Sequence, residues 1–186
     1  RDVEVTLSGD RMEDIQEVMF YEPGVTVSAI DPKDGKKPTA KFTIAPDARL
    51  GEYSMRVRTA SGVTELRSFF VGQFPSVAEK EPNNSFDQPQ KAEMNTTITG
   101  VADNEDEDFY VVSLKKGQRL SVEVEGMRLG RLLFDTYVAI LDPKRFEMVS
   151  CDDAPLVRTD SFASIIAPED GDYRVVYSYA EEQRTQ

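Results

Sequence analysis

The chain has 186 residues, with 22 Lys and Arg against 34 Asp and Glu, so its formal net charge at neutral pH is −12. A nucleic-acid partner is not expected, because binding to nucleic acid needs a basic surface that displaces counterions. No run of about 18 apolar residues is present, so insertion into a membrane is not expected either.

Two absences in the sequence exclude several kinds of chemistry. There is no His, and Cys151 is the single cysteine. His-based nucleophilic catalysis, imidazole ligation, intrachain disulfides and thiolate zinc clusters are therefore impossible within this chain. The first residue is Arg1 and no apolar signal segment follows it, so we expect the chain to be part of a longer protein.

Short alternating segments separated by turns predict β-strands in the first half. Val3, Val5 and Leu7 alternate with polar residues, as in a half-buried strand. The predicted strands cover residues 2–7, 25–30, 41–44, 53–59 and 66–71. Residues 10–19 are a candidate for a helical turn. Five short strands in about 75 residues favour a small immunoglobulin-like β-sandwich.

The two halves of the chain are predicted to be separate domains. Residues 73–84, QFPSVAEKEPNN, contain two prolines and a short charge run, which is typical of a linker. A cut after Pro75 leaves 10 basic and 12 acidic residues before it (10 − 12 = −2) and 12 and 22 after it (12 − 22 = −10). The predicted domains are residues 1–75 and 76–186, and the acidic excess belongs to the second.

The second half also reads as all-β. Its predicted strands cover residues 97–101, 109–114, 120–124, 137–141, 146–150, 162–166 and 173–179, with a candidate helical turn at 84–92. Ala45-Pro46 followed by Gly51-Glu-Tyr53 is echoed by Ala167-Pro168 followed by Gly171-Asp-Tyr173. We expect each Tyr ring to cap a sandwich core while its hydroxyl stays in water.

A series of short motifs in the second half carries a family resemblance. The motifs are EKEPNNSF at 79–86, GVAD at 100–103, DFY at 108–110, LKKGQ at 114–118, LDPK at 141–144 and APEDGDY at 167–173. In order and spacing, residues 79–180 resemble the bacterial pre-peptidase C-terminal domain, a jelly-roll-like sandwich related to the collagen-binding modules of clostridial collagenases. The first half resembles the immunoglobulin-like modules that precede such domains in large secreted or surface proteins of bacteria.

The resemblance implies a non-catalytic accessory module, and some relatives bind calcium through the linker and the next acidic turn. The residues at the matching positions are Glu79, Glu81, Asn83, Asn84, Asp103, Asp106 and Asp108. Where this chain has Asn84, calcium-binding relatives carry Asp.

The acidic turn itself has the chemistry of a calcium site. Residues 103–108, DNEDED, hold five carboxylates and one amide, and Ca²⁺ takes about six to eight oxygen ligands in flexible geometry. The turn is not an EF-hand, because Asp108 stands where that loop needs Gly and Leu114 where it needs Glu. It also offers too few ligands alone, so Glu79, Glu81 and Asn83 would have to complete the site. The alternative is a solvated acidic loop that only keeps the protein soluble.

Other candidate residues give weaker signals. By alternation, Tyr173, Val175, Tyr177 and Tyr179 share one face of the last strand. The first two are expected in the core, and Tyr177 and Tyr179 are the candidate ligand-binding rings. Neither a catalytic motif with its companions nor a Gly-rich phosphate loop is present, so no enzyme is expected.

The sequence therefore predicts an all-β protein of two consecutive β-sandwich domains, immunoglobulin-like and then jelly-roll-like. The predicted function is structural or adhesive, within a larger exported bacterial protein, secreted or on the cell surface, with Ca²⁺ stiffening the interdomain linker. The alternative is a glycan- or protein-binding module of a secreted hydrolase. The expected partners are the other domains of the parent protein and extracellular protein or polysaccharide.

Overall fold

The computed structural model describes residues 1–10, 12–32, 37–101, 107–126, 129, 135–155 and 160–180, the side chains of residues 179 and 180 excepted. The described residues form fifteen β-strands and no α-helix, so the predicted all-β fold class is confirmed. The chain divides into two compact units, Arg1–Gln73 and Phe74–Gln186. The predicted boundary after Pro75 lies close to this division.

The first unit is a sandwich of two three-stranded antiparallel sheets. Its strands are β1 (Asp2–Thr6), β2 (Ile15–Phe20), β3 (Val25–Asp31), β4 (Thr39–Ile44), β5 (Gly51–Thr59) and β6 (Arg67–Val71). The strand orders are β1-β4-β3 and β2-β5-β6. These orders correspond to strands B-E-D and C-F-G of an immunoglobulin sandwich.

Aromatic rings from both sheets fill the centre of the first unit. Phe42 of β4 is fully buried and meets Phe20 of β2 and Phe69 of β6 edge to face, with ring centroids 5.1 and 5.2 Å away. Edge-to-face pairs of this kind add to the free energy of apolar burial. This cluster fixes how the two sheets face each other.

Strand β2 corrects the prediction of a helical turn at residues 10–19. Ile15 and Val18 face the core at helix-like spacing because the pairing register with β5 shifts between Ile15 and Glu17. A β-bulge adds one residue to a strand and breaks its period-two alternation. The helix-like spacing of apolar residues in this segment therefore comes from a bulged β-strand.

The second unit contains the remaining nine strands. They are β7 (Ser76–Ala78), β8 (Gln90–Lys91), β9 (Thr97–Thr99), β10 (Glu107–Leu114), β11 (Arg119–Glu123), β12 (Asp135–Leu141), β13 (Glu147–Cys151), β14 (Phe162–Ile166) and β15 (Gly171–Ala180). A five-stranded sheet has the order β13-β12-β15-β10-β8, and two-stranded sheets join β11 to β14 and β7 to β9. One core cluster contains residues of β10, β12 and β15 together with Leu120 of β11 and Ile165 of β14, so the larger sheet packs on the β11-β14 pair.

Two predictions about the second unit need correction. The segment predicted as a linker contains β7, which pairs in parallel with β9, so most of that segment belongs to the folded second unit. The candidate helical turn at 84–92 is a turn followed by the short strand β8. Prolines on both sides of β7 hid its strand character, because Pro is depleted in strands.

The two Tyr motifs predicted to be similar in architecture fold in the same way. Tyr53 and Tyr173 are both fully buried in their cores. The Tyr53 hydroxyl donates to the Arg49 carbonyl at 2.9 Å, and the Tyr173 hydroxyl donates to the Glu169 carbonyl at 3.0 Å. Each motif is a tyrosine corner of the kind found in sandwich domains. The expectation that the hydroxyls stay in water is wrong, since the backbone accepts them.

Among the described residues, no helix has the length and apolar character needed to span a bilayer.

Candidate metal centre

The candidate site lies in the second unit, where the segment after β7 meets the start of β10. The Glu79 amide donates to the Thr99 carbonyl at 2.9 Å, which extends the parallel pairing of β7 with β9 by one residue. The Phe109 amide donates to the Asn83 carbonyl at 2.8 Å, which fixes the following segment against β10. The segment that carries Glu79, Glu81 and Asn83 is thereby held beside Asp108 of β10.

Three carboxylates meet at this point. One oxygen each from Glu79, Glu81 and Asp108 lies within 4.8 Å of the other two. Asp108 is buried, Glu79 is half-buried and Glu81 is exposed, so the group opens to solvent on one side. At this distance each ionised pair repels by about 3 kcal/mol at an effective dielectric constant of about 20. A bound cation would remove that repulsion.

The side-chain amide of Asn83 lies beside these carboxylates, and its oxygen has no hydrogen-bond partner. Asn83 is fully buried, its Nδ2 donates to Glu79 Oε1 at 3.3 Å, and its backbone amide donates to Glu81 Oε2 at 3.0 Å. Its carbonyl oxygen Oδ1 is buried without a hydrogen-bond partner. A buried unsatisfied carbonyl costs about 1–3 kcal/mol, and a cation is a partner that would satisfy it.

Tyr110 adds a hydroxyl donor to the site. It lies two residues after Asp108, on the same face of β10, and its hydroxyl donates to Glu79 Oε1. Burial is the main cause that raises the Tyr110 pKa above its ordinary value, and the hydrogen bond to Glu79 and the nearby carboxylates raise it further. The hydroxyl therefore stays protonated at neutral pH and holds the Glu79 carboxylate in one orientation.

The donor set suits a hard divalent cation. Carboxylate oxygens and an amide carbonyl are the ligands that Ca²⁺ takes in flexible geometry, whereas Mg²⁺ demands near-ideal octahedral geometry and keeps more of its water. The open side at Glu81 leaves room for waters to complete a Ca²⁺ coordination shell. The residues present therefore fit calcium.

The structure brings together four of the seven residues predicted as metal ligands: Glu79, Glu81, Asn83 and Asp108. Asn84 is exposed, and Asp103 and Asp106 lie outside the described residues. The predicted position of the site in an interdomain linker is wrong, because the four residues that converge all belong to the second unit. Sequence reasoning missed Tyr110, although its spacing of two from Asp108 places both side chains on one strand face.

Of the two predicted ligand-binding tyrosines, the structure describes the side chain of Tyr177. Tyr177 is half-buried and shares the face of β15 that carries the buried Tyr173 and Val175, which confirms the core prediction for the latter two. The side chain of Tyr179 lies outside the described residues.

An open groove of about 500 Å³ lies between β2 and β3 of the first unit. Among the residues that line it, Glu17 is the one ionisable group, and it pairs with Arg58 at 3.1 Å. The groove therefore lacks the converging ionisable groups that acid–base catalysis needs.

Comparisons with known proteins leave the family open. No family model matches the chain and no curated protein matches it. The solved structures that align with it include SGBP-B of the Bacteroides ovatus mixed-linkage glucan utilization locus, in complex with a mixed-linkage heptasaccharide, and Lac15 from a marine microbial metagenome. Their identities are 12% and 11%, and their TM-scores are 0.31 and 0.20.

The alignments cover 95% and 96% of this chain but 48% and 51% of the solved chains. The chain therefore spans about half the length of each of these proteins. At TM-scores this low the likeness carries no argument about function. The resemblance to the pre-peptidase C-terminal domain stays a prediction.

Proposed function

We propose that the chain is a non-catalytic accessory region of a larger exported protein, and that its second β-sandwich binds Ca²⁺ through Glu79, Glu81, Asn83 and Asp108. The observation that carries this proposal is the buried, unpartnered Oδ1 of Asn83 beside three clustered carboxylates. The carboxylates alone could be a solvated acidic surface. A role in keeping the protein soluble does not account for the side-chain carbonyl of Asn83, because that oxygen is buried away from water.

The role of the cation in this proposal is structural. The segment from Glu79 to Asn83 and strand β10 carry charges of the same sign where they meet, so a shared cation converts their repulsion into a cross-link. The contacts between them include the backbone bond from Phe109 to Asn83 and the hydroxyl bond from Tyr110 to Glu79. Calcium would hold the segment from Glu79 to Asn83 in place against β10 of the second sandwich.

A second candidate function is binding to an extracellular polysaccharide or protein. It is favoured by exposed aromatic rings in the second unit, where Phe146 is 69% and Phe162 is 44% exposed. Contiguous exposed apolar patches mark interaction sites, and these two rings are candidates for such a patch. A screen against collagen, peptidoglycan and polysaccharides tests this function, and a pure spacer retains none of them.

Calorimetric titration of the full chain with Ca²⁺ after chelation tests the calcium proposal. We expect binding at one site, weaker binding of Mg²⁺, and a loss of the Ca²⁺ heat in Glu79→Gln. Glu93→Gln is the matched control, because Glu93 is an exposed acid whose ion-pair partner is Lys91. No heat and no thermal shift at millimolar Ca²⁺ would remove the proposal.

Terbium luminescence gives an independent readout. Tb³⁺ replaces Ca²⁺ at oxygen sites and emits when a nearby aromatic ring is excited. The chain has no Trp, so the expected donors are Tyr110, in contact with Glu79, and Tyr177, the cross-strand partner of Asp108. Emission that Ca²⁺ displaces and that Tyr110→Phe or Tyr177→Phe strongly reduces is the result expected for this site, whereas emission unchanged in both variants would put the ion elsewhere.

A further inference from the structure

Gly100 lies against the side chain of Glu79. A carbon built at the Cβ position of Gly100 would lie 1.8 Å from Glu79 Oε2, 2.5 Å from its Cδ and 3.0 Å from its Cβ. Among the glycines that the structure describes, φ is positive at Gly24, Gly51 and Gly117, and not at Gly100. The backbone conformation of residue 100 therefore does not require glycine. The close contact with the Glu79 side chain is what requires it.

The backbone fixes this close approach. Ala78 pairs with Thr99, and the Glu79 amide donates to the Thr99 carbonyl, so the chain beyond β9 passes directly beside Glu79. Since the contacts reach Cβ as well as the carboxylate atoms Cδ and Oε2, turning the terminal oxygens alone cannot make room for a side chain.

The opposite side of Glu79 is also occupied. Its Oε1 accepts hydrogen bonds from the Tyr110 hydroxyl and from Asn83 Nδ2. Gly100 meets the other oxygen, Oε2. The two donors therefore fix Oε1, and Oε2 occupies the space that a side chain at residue 100 would fill.

We infer that Gly100 is a positioning residue that keeps the Glu79 carboxylate in the group with Glu81 and Asp108, an inference that rests on the proposed calcium site. A side chain at residue 100 pushes Glu79 out of the group and removes one of its three carboxylates. Residues that orient a metal ligand typically change metal affinity by about 10–100-fold when replaced. We expect a loss of that size in Gly100→Ala.

The test measures Ca²⁺ affinity and unfolding temperature for the wild type, Gly100→Ala and Gly62→Ala. Gly62 is the matched control, because a Cβ there meets nothing within 4 Å and its φ is not positive. We expect Ca²⁺ affinity to fall at least tenfold in Gly100→Ala and to stay unchanged in Gly62→Ala. Unchanged affinity in Gly100→Ala, with a wild type that binds, overturns the inference and leaves the proposed function standing.

Unfolding in EDTA separates positioning from a general loss of fold. If the new methyl group clashes with Glu79, Gly100→Ala lowers the unfolding temperature of the wild type more than that of Glu79→Ala, in which only the Cβ contact at 3.0 Å remains. An equal loss in both backgrounds, or failure of Glu79→Ala/Gly100→Ala to fold, overturns the inference. A wild type that binds neither Ca²⁺ nor Tb³⁺ refutes the proposed function, and the inference falls with it.

Discussion

Replacing Asn83 by Leu should change the stability of the protein little without calcium and lower it with calcium. Leu has a similar size but no polar atoms, so Asn83→Leu removes the buried Oδ1 that has no hydrogen-bond partner and the Nδ2 donor to Glu79. Loss of the unsatisfied Oδ1 raises the free energy of unfolding by about 1–3 kcal/mol, and loss of the Nδ2 hydrogen bond lowers it by a similar amount. In EDTA we therefore expect the free energy of unfolding to stay within about 1 kcal/mol of the wild type.

In calcium the same variant should lose the stabilisation that binding provides. Calcium sites of extracellular modules have Kd of about 10⁻⁴–10⁻³ M. At about 10 mM Ca²⁺ such a site stabilises the folded state by about 1.4–2.7 kcal/mol. For a unit of the size of Phe74–Gln186, this is a rise of about 6–11 °C in Tm. Asn83→Leu should show little of this rise.

Scanning calorimetry in Ca²⁺ and in EDTA measures both effects. Glu93→Gln serves as the control, with a calcium shift equal to that of the wild type. The reasoning is refuted if Asn83→Leu retains the full calcium shift, because Asn83 would then not be a ligand. It is also refuted if the variant loses several kcal/mol in EDTA, because the buried amide would then be satisfied without a cation.

Three further changes test the fold around the site. Phe42→Ala should cost the first unit about 3–5 kcal/mol, because Phe42 is fully buried between two other rings, and should leave the calcium shift of the second unit intact in calorimetry. Tyr173→Phe should cost about 1 kcal/mol by chemical denaturation, through loss of the hydroxyl bond to Glu169. The Lys116 amide and the Lys115 side chain lower the pKa of Asp170 below 3.8. The stability from Asp170 is therefore present above that pH and lost as the pH falls through the folded pKa. Asp170→Asn should weaken the dependence of stability on pH in this acid range. An unchanged acid unfolding curve would contradict the hydrogen bonds of Asp170 with Lys115 and Lys116.

The sequence predicted most strands because their burial alternates. In β5, Tyr53, Met55 and Val57 are buried and the residues between them are more exposed, and such period-two patterns are local. The strand β2 was missed because its bulge shifts the alternation between Ile15 and Glu17. The strand β7 was missed because its pairing with β9 is remote in sequence and parallel, so no hairpin turn marks it.

The candidate site was only partly predictable for the same reason. Acidic and amide residues could be identified by type and by resemblance, but their convergence depends on the contacts of Glu79 with Thr99 and of Asn83 with Phe109. Gly100 begins one of the motifs of the family resemblance, but its contact with Glu79 could not be predicted, because the two residues are distant in sequence. Period-two spacing could have joined Tyr110 to Asp108, and the hydroxyl bond to Glu79 depends on the fold.

Anomalous diffraction from crystals grown with Tb³⁺ or Ca²⁺ tests the calcium site most directly. The account predicts one peak in the second unit, about 2.3–2.6 Å from oxygens of Glu79, Asp108 and Asn83, with Asn83 Oδ1 directed at the ion. A peak elsewhere in the chain, or no peak at a concentration that saturates the heat of binding, would contradict it.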